Sequence, residues 1–294
     1  MYLLLPLLAA LSFALGALVY KRAYQEGAGL VHLAVVNNVI LGLVFLPLLA
    51  FEPQPIPWAD WHLPVWTALA FAIGHLLNVL SLRLGDVSLA TPLLGAKVIF
   101  VALVGGLVFG NRLSTAQWLS AALATAGVVT MGLTDFRGGG RAGLTTVAAL
   151  GCAFAFAFTD TMIQAWGSRF GAWGFLPLLF AAVGVLSLGM MPYFGVASLR
   201  APRRAWRWIL AGVALSGLQA IIITGTIAVW KDAAGVNVVY ATRGLWSITL
   251  VWLVGHRLRN TERHTTGGRI MAQRLAGAAL ILAAVALTVW SGPR

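Results

Sequence analysis

Apolar residues in this chain come in long runs and not in alternation. Stretches of roughly 18 or more apolar positions recur from Met1 to the last few residues, with short polar or Gly/Pro-rich connections between them. Ten spans can be drawn, over 2–20, 31–51, 65–82, 87–108, 114–133, 144–166, 172–194, 206–229, 236–254 and 272–291. The connections carry breakers. Pro53, Pro55, Pro57 and Pro64 cluster in one of them, and Gly138-Gly139-Gly140 form another. Gly85-Asp86 and Asp232–Gly235 mark tight turns before spans four and nine. A helix rising 1.5 Å per residue crosses the hydrocarbon in about 20 residues. The pattern therefore predicts an all-α integral membrane protein with ten transmembrane helices.

The pattern also repeats. Leu94–Leu113 reads LGAKVIFVALVGGLVFGNRL and Val239–Leu258 reads VYATRGLWSITLVWLVGHRL. At an offset of 145 residues, Ala96 matches Ala241, Gly110 matches Gly255, Arg112 matches Arg257 and Leu113 matches Leu258. Gln117-Trp118-Leu119 and Gln273-Arg274-Leu275 open spans five and ten at an offset of 156, so the second half carries 11 extra residues there. That insertion is basic, with Arg259, Arg263, His264 and Arg269. Glu26-Gly27-Ala28 and Phe170-Gly171-Ala172 close the first hairpin of each half. The chain thus divides at 1–138 and 139–294. Five spans is an odd number, so the halves enter the membrane from opposite sides and form two inverted five-helix repeats. Such repeats place a binding site near the midplane, between the halves.

Composition sharpens this picture. The chain is 60% hydrophobic and 10% charged, with a mean hydropathy of +0.88, against about 25% charged residues in soluble domains. The longest polar segment, Arg257–Arg274, is too short to bury a core. The N-terminus has no basic stretch before its apolar run, so it reads as a first transmembrane helix and not a removed signal. Cys152 is the one cysteine, which excludes an intrachain disulfide and a paired-cysteine metal site. The net charge of +12 has no soluble surface to carry it, so nucleic acid is not an expected partner. The expected partners are the lipid bilayer and a small-molecule substrate, with a homodimer left open. The expected location is the cell (inner or cytoplasmic) membrane. Loops after odd-numbered spans hold 14 Lys and Arg, and the other side holds four, Arg112, Arg169, Lys231 and Arg294. Basic loops face the cytoplasm, which puts both termini outside.

Two basic residues remain inside spans: Lys97 and Arg243, one residue apart in the repeat register. Each costs about 2.5–3.5 kcal/mol at bilayer depth on insertion scales and so marks a candidate site. An arginine fork suits a carboxylate or phosphate. Asn237, Tyr240, Arg243 and Ser247 follow at spacings of three, three and four, which places them on one helical face. Tyr240 and the adjoining Trp246 are suited to an apolar substrate body. Lys97 has a rival explanation, a structural ion pair with Asp160. Asp160 is otherwise a candidate proton carrier. His75 and Asn78 sit mid-span in the third helix, as substrate or proton groups or as interhelical bonding groups. Gln219, Thr224, Thr226 and the Asn37-Asn38 pair read as interhelical bonding groups. Trp58, Trp61, Trp66 and Trp290 are among the tryptophans near span ends, in an interfacial belt. No paired carboxylate, Ser/His/Asp cluster, phosphate loop or metal-ligand spacing occurs, so neither an enzyme nor a cofactor is expected.

The five-plus-five repeat and the Gly-x-Arg-Leu sequences closing spans four and nine resemble the ten-span EamA-like branch of the drug/metabolite transporter superfamily. The second residue of that signature is typically Glu. Here it is Asn111 and His256. The Gly-rich segments Ala121–Val129 and Gly277–Val285 also fit. The resemblance implies alternating-access transport of small metabolites, amino acids or amphipathic compounds. It also implies both termini inside, against the charge count, and we follow the count because it belongs to this chain. The expected function is secondary transport of a small organic solute with an anionic group: an amino acid, a carboxylate or a phosphorylated metabolite. An inside-negative potential expels an anion, which favours export. The alternative is a lipid flippase or scramblase that recognises an acidic headgroup.

Overall fold

A chain segment inside a bilayer must satisfy its own backbone polar groups, and a helix does this locally. The apolar runs accordingly fold as helices. The computed structural model describes residues 2–85, 90, 93–132, 141–189, 201–254 and 268–291, and no strand occurs among them. The helices are α1 (Leu5–Gln25), α2 (Leu30–Phe45), α3 (His62–Leu84), α4 (Lys97–Leu107), α5 (Thr115–Gly132) and α6 (Arg141–Phe170). They continue with α7 (Ala172–Gly189), α8 (Arg203–Trp230), α9 (Ala233–Tyr240), α10 (Arg243–Val254) and α11 (Gly268–Ser291). Among the described residues, six segments are long and apolar enough to cross a membrane: Tyr2–Gln25, His32–Phe51, Trp58–Leu84, Gly143–Phe170, Ala172–Gly189 and Arg203–Trp230. Leu94–Leu107 and Leu275–Ser291 are apolar but shorter. The Gly138-Gly139-Gly140 linker, Asp86, the Gly255–Leu258 signature and Arg259, Arg263 and His264 lie outside the described residues.

One span departs from expectation. Residues 236–254 were expected as a continuous helix, yet α9 ends at Tyr240 and α10 begins at Arg243. The cause is local. The Thr242 hydroxyl donates to the Val239 carbonyl at 2.8 Å, and the Thr242 N–H reaches the same carbonyl at 3.2 Å. This draws the turn into the tighter i→i+3 pattern. Span four tightens at the matching point, where a 3₁₀ turn at Leu94–Ala96 leads into α4. In both halves the backbone tightens just before the basic residue.

Helix α1 packs along α8, α3 along α6, α2 along α7, and α5 along α11. Lipid chains are as apolar as the side chains, so close backbone approach and polar ties hold such pairs together. A Cβ added to Gly127 of α5 would lie 2.6 Å from the Gly277 carbonyl of α11. The Tyr20 hydroxyl donates to Asn37 at 2.8 Å, and Asn38 donates to Ser187 at 2.8 Å, tying α1, α2 and α7 together. The Asn37-Asn38 pair is thus the interhelical bonding group its position suggested. Gly27 and Gly171 close the two first hairpins with φ of +92° and +71°, a conformation open to glycine at no steric cost.

Candidate functional site

The tightened turns bring Lys97 and Arg243 to the interior ends of α4 and α10. Lys97 is buried, and its Nζ lies 2.5 Å from Oδ2 of Asp160 on α6. The same oxygen accepts from Asn237 Nδ2 of α9 at 2.6 Å, and that amide also donates to the Ala233 carbonyl at 2.8 Å. The ion pair weighed against a substrate role for Lys97 therefore exists, and the two charges cancel. Lys97 also lies over the rings of Phe156 and Tyr240, 5.7 and 5.8 Å from their centroids.

Arg243 is buried as deeply but has a different environment. Its guanidinium lies 4.4 Å from the Tyr240 ring centroid and 5.0 Å from that of Phe13. One Nη donates to the Leu94 carbonyl, at the tightened turn of the other half. Its Nε has no hydrogen-bond partner. Among the described residues no carboxylate pairs with it. Arg243 thus remains a buried cation held by aromatic faces and one backbone carbonyl.

Both cations line one cavity. Phe13 and Tyr20 come from α1, and Phe71, His75 and Asn78 from α3. Phe156 and Asp160 belong to α6, and Gln219 and Thr224 to α8. Tyr20 and Leu82, within one residue of Lys21 and Arg83, carry the cavity toward the basic side of the protein. His75 is 3% exposed, and neither of its ring nitrogens has a hydrogen-bond partner. Its ring stacks on Phe71 at 6.2 Å. The Asn78 Oδ1 is likewise buried and unpartnered.

The candidates Lys97, Arg243, Tyr240, His75, Asn78 and Asp160 are therefore brought together, and Trp246 and Ser247 are not. Trp246 is on the outer surface, 36% exposed. The Ser247 hydroxyl turns back to the Arg243 carbonyl at 2.9 Å. The single helical face drawn through Ser247 stops at Arg243. Gln219 and Thr224 line the cavity, and the hydroxyls of Thr224 and Thr226 bond within their own helix, to Ala220 and Ile222. The walls Phe13, Phe71 and Phe156 were not anticipated. An aromatic residue in an apolar span carries no mark that separates a cavity wall from a lipid-facing or core position.

About one turn further along α4 and α6, Val101 and Gln164 line a second cavity with Asn111, Arg112, Gln117, Lys231 and Asp232. The Gly-x-Arg-Leu sequence of the first half lies here.

Residues 1–133 match the EamA-like transporter family. The chain is 27% identical over 121 residues to an uncharacterized transporter in the cobO 3' region of Sinorhizobium sp, covering 41% of this chain and 86% of that protein. It is 36% identical over 69 residues to the probable 4-amino-4-deoxy-L-arabinose-phosphoundecaprenol flippase subunit ArnE of Pseudomonas savastanoi pv. phaseolicola (strain 1448A / Race 6). That match covers 23% of this chain and 60% of the relative. A crystal structure of a protein aligns over 97% of this chain and 98% of its own, with a TM-score of 0.65 and 18% identity. That likeness shows the fold alone.

Proposed function

We propose, from the premise of an EamA-like, multi-pass membrane transporter that the family match and the relatives' names support, that this chain exports a small organic solute bearing an anionic group. The carrying observation is Arg243, a buried guanidinium with no carboxylate partner among the described residues, lining a cavity beside His75 and Asn78 with unpartnered polar atoms. A buried cation without a counter-charge is costly, and an anionic solute supplies that charge. Candidate solutes are amino acids, other carboxylates and phosphorylated metabolites.

In this reading ten helices cross the bilayer as two inverted repeats, 1–138 and 139–294, and transport proceeds by alternating access. The helix pairing supports it. Exchanging each span for its partner five places on turns the α1–α8 packing into the α6–α3 packing and leaves α2–α7 and α5–α11 unchanged. The Sinorhizobium relative adds support, since 121 residues are 86% of it, and it is therefore about the size of one repeat. The basic side faces the cytoplasm, so the cavity leans toward the compartment from which an exporter loads. Reporters active only in the cytoplasm, fused to each terminus, test this; signal from the termini reverses the orientation.

The functional test is flux from proteoliposomes preloaded with carboxylates, phosphates, amino acids or organic cations. Anions should leave fastest, and an inside-negative potential should speed them, at about 2.3 kcal/mol per charge per 100 mV. A preference for organic cations would sink the proposal. A second reading is favoured by the match to a flippase subunit whose named substrate carries a phosphate. A fluorescent acidic lipid translocated in the same liposomes, with no flux of soluble anions, would select it.

A further inference from the structure

We propose that the cavity is selective for a monoanion with a flat apolar body, and discriminates against the amino acid and the dianion of the same shape. This rests on the anion-site reading above and adds a charge count and a body shape to it.

The charge count comes from three groups. Lys97, Asp160 and Arg243 are the acidic and Lys/Arg side chains that line the cavity. Lys97 and Asp160 form a 2.5 Å pair, which leaves one uncompensated positive charge, on Arg243. One carboxylate neutralises it. A second negative charge on the solute would find no further free cation among the described residues that line the cavity. An ammonium fares no better. Among the described residues Asp160 is the one acid that lines the cavity, and its Oδ2 already holds Lys97 and Asn237. An ammonium that took Asp160 would leave Lys97 without its counter-charge.

The body shape comes from the walls. Phe13, Phe71, Phe156 and Tyr240 present ring surface to the space. Arg243 lies against the Phe13 and Tyr240 rings, which meet edge to face, and its Nε is buried without a partner, so a carboxylate bound at the guanidinium carries its attached group into an aromatic surround. His75 and Asn78 set the polar end of the body. A neutral imidazole offers one donor and one acceptor, and the Asn78 Oδ1 one turn away accepts. These suit a neutral hydroxyl or ring N–H on the solute.

The test is calorimetric titration of the purified full-length chain in lipid nanodiscs with one isosteric series. The probes are 3-phenylpropionate, phenylalanine, phenylsuccinate, 2-phenylethylammonium and 3-(4-hydroxyphenyl)propionate. The expected result is tightest binding by the two monoanions, with phenylalanine, phenylsuccinate and the amine each at least about tenfold weaker. The 4-hydroxyl should tighten binding about two- to tenfold, and Asn78→Ala with His75→Ala should erase that difference between the two monoanions. Phenylalanine or phenylsuccinate binding as tightly as 3-phenylpropionate would overturn the inference and leave the anion site standing. Tightest binding by the amine would overturn both.

Discussion

The ends of α4 and α10 are the two places where this chain puts a basic residue near the middle of an apolar run, and they treat it in opposite ways. Both follow a tightened turn, Leu94–Ala96 in one half and Ala241-Thr242 in the other, so the backbone device is shared. The chemistry is not. Lys97 meets Asp160 at 2.5 Å, and its charge is cancelled within the protein. Arg243 meets Tyr240, Phe13 and the Leu94 carbonyl, and its charge is kept. The residue types match these fates. A compact ammonium is well served by one carboxylate. A planar guanidinium can stack on rings and still present an N–H edge. The two segments therefore place a cation at matching positions and treat it differently: one charge is cancelled within the protein, and the other is kept.

The largest expected effect attacks the cancelled pair. Lys97→Met leaves Asp160 buried with only Asn237, and should cost about 3–5 kcal/mol of stability. Adding Asp160→Asn removes the orphaned charge and should recover most of the loss, as read by thermal unfolding in nanodiscs. If the double variant is no better than the single one, Lys97 and Asp160 are not a pair in the membrane. Arg243 should behave in the opposite way. Arg243→Ala removes a cation that has no carboxylate partner among the described residues, so folding should hold while anion affinity falls about 100-fold, near 2.7 kcal/mol. Arg243→Lys should lie between, since an ammonium keeps the charge but loses the fork. An Arg243→Ala protein that binds anions like the parent would assign the retained charge a purely structural role.

The sequence made one half of this contrast legible. A basic residue in an apolar run is visible without coordinates, and so was the rival partner, Asp160, as an acid inside a span. Which of the two cations it neutralises was not, because that depends on how α6 rotates against α4 and α9. The ends of α1 and α8 were readable to within a few residues, since apolarity stops where Lys21 and Arg203 begin. The break after Tyr240 was not readable: Ala241 and Thr242 are ordinary helix residues, and only the Thr242 hydroxyl turning to Val239 tightens the chain. Two members of the site were also misplaced. Spacing alone ran a single face through Ser247 and put Trp246 beside it, whereas past the turn the Ser247 hydroxyl closes on its own helix and Trp246 faces outward.

Smaller effects sharpen where the retained charge is held. Tyr240→Leu removes the closer of the two rings over Arg243 and should weaken anion binding by about 1 kcal/mol, roughly fivefold. Tyr240→Phe keeps the ring face and should change affinity by less than half of that.

The smallest expected effect is the most discriminating between sequence spacing and fold. Trp246 lies as close to Arg243 along the chain as Tyr240 does, three residues to the other side. By spacing alone both would be within reach of the guanidinium. The fold separates them: Tyr240 is 2% exposed against the guanidinium, and Trp246 is 36% exposed on the outer surface. An exposed ring on the outside contributes to anchoring in the bilayer and not to the ligand. Trp246→Ala should therefore leave anion affinity within about twofold and stability within about 0.5 kcal/mol. A loss as large as that of Tyr240→Leu would mean that the solute reaches Arg243 from the outer face of α10, and that the cavity between α1, α3, α6 and α8 is not its path.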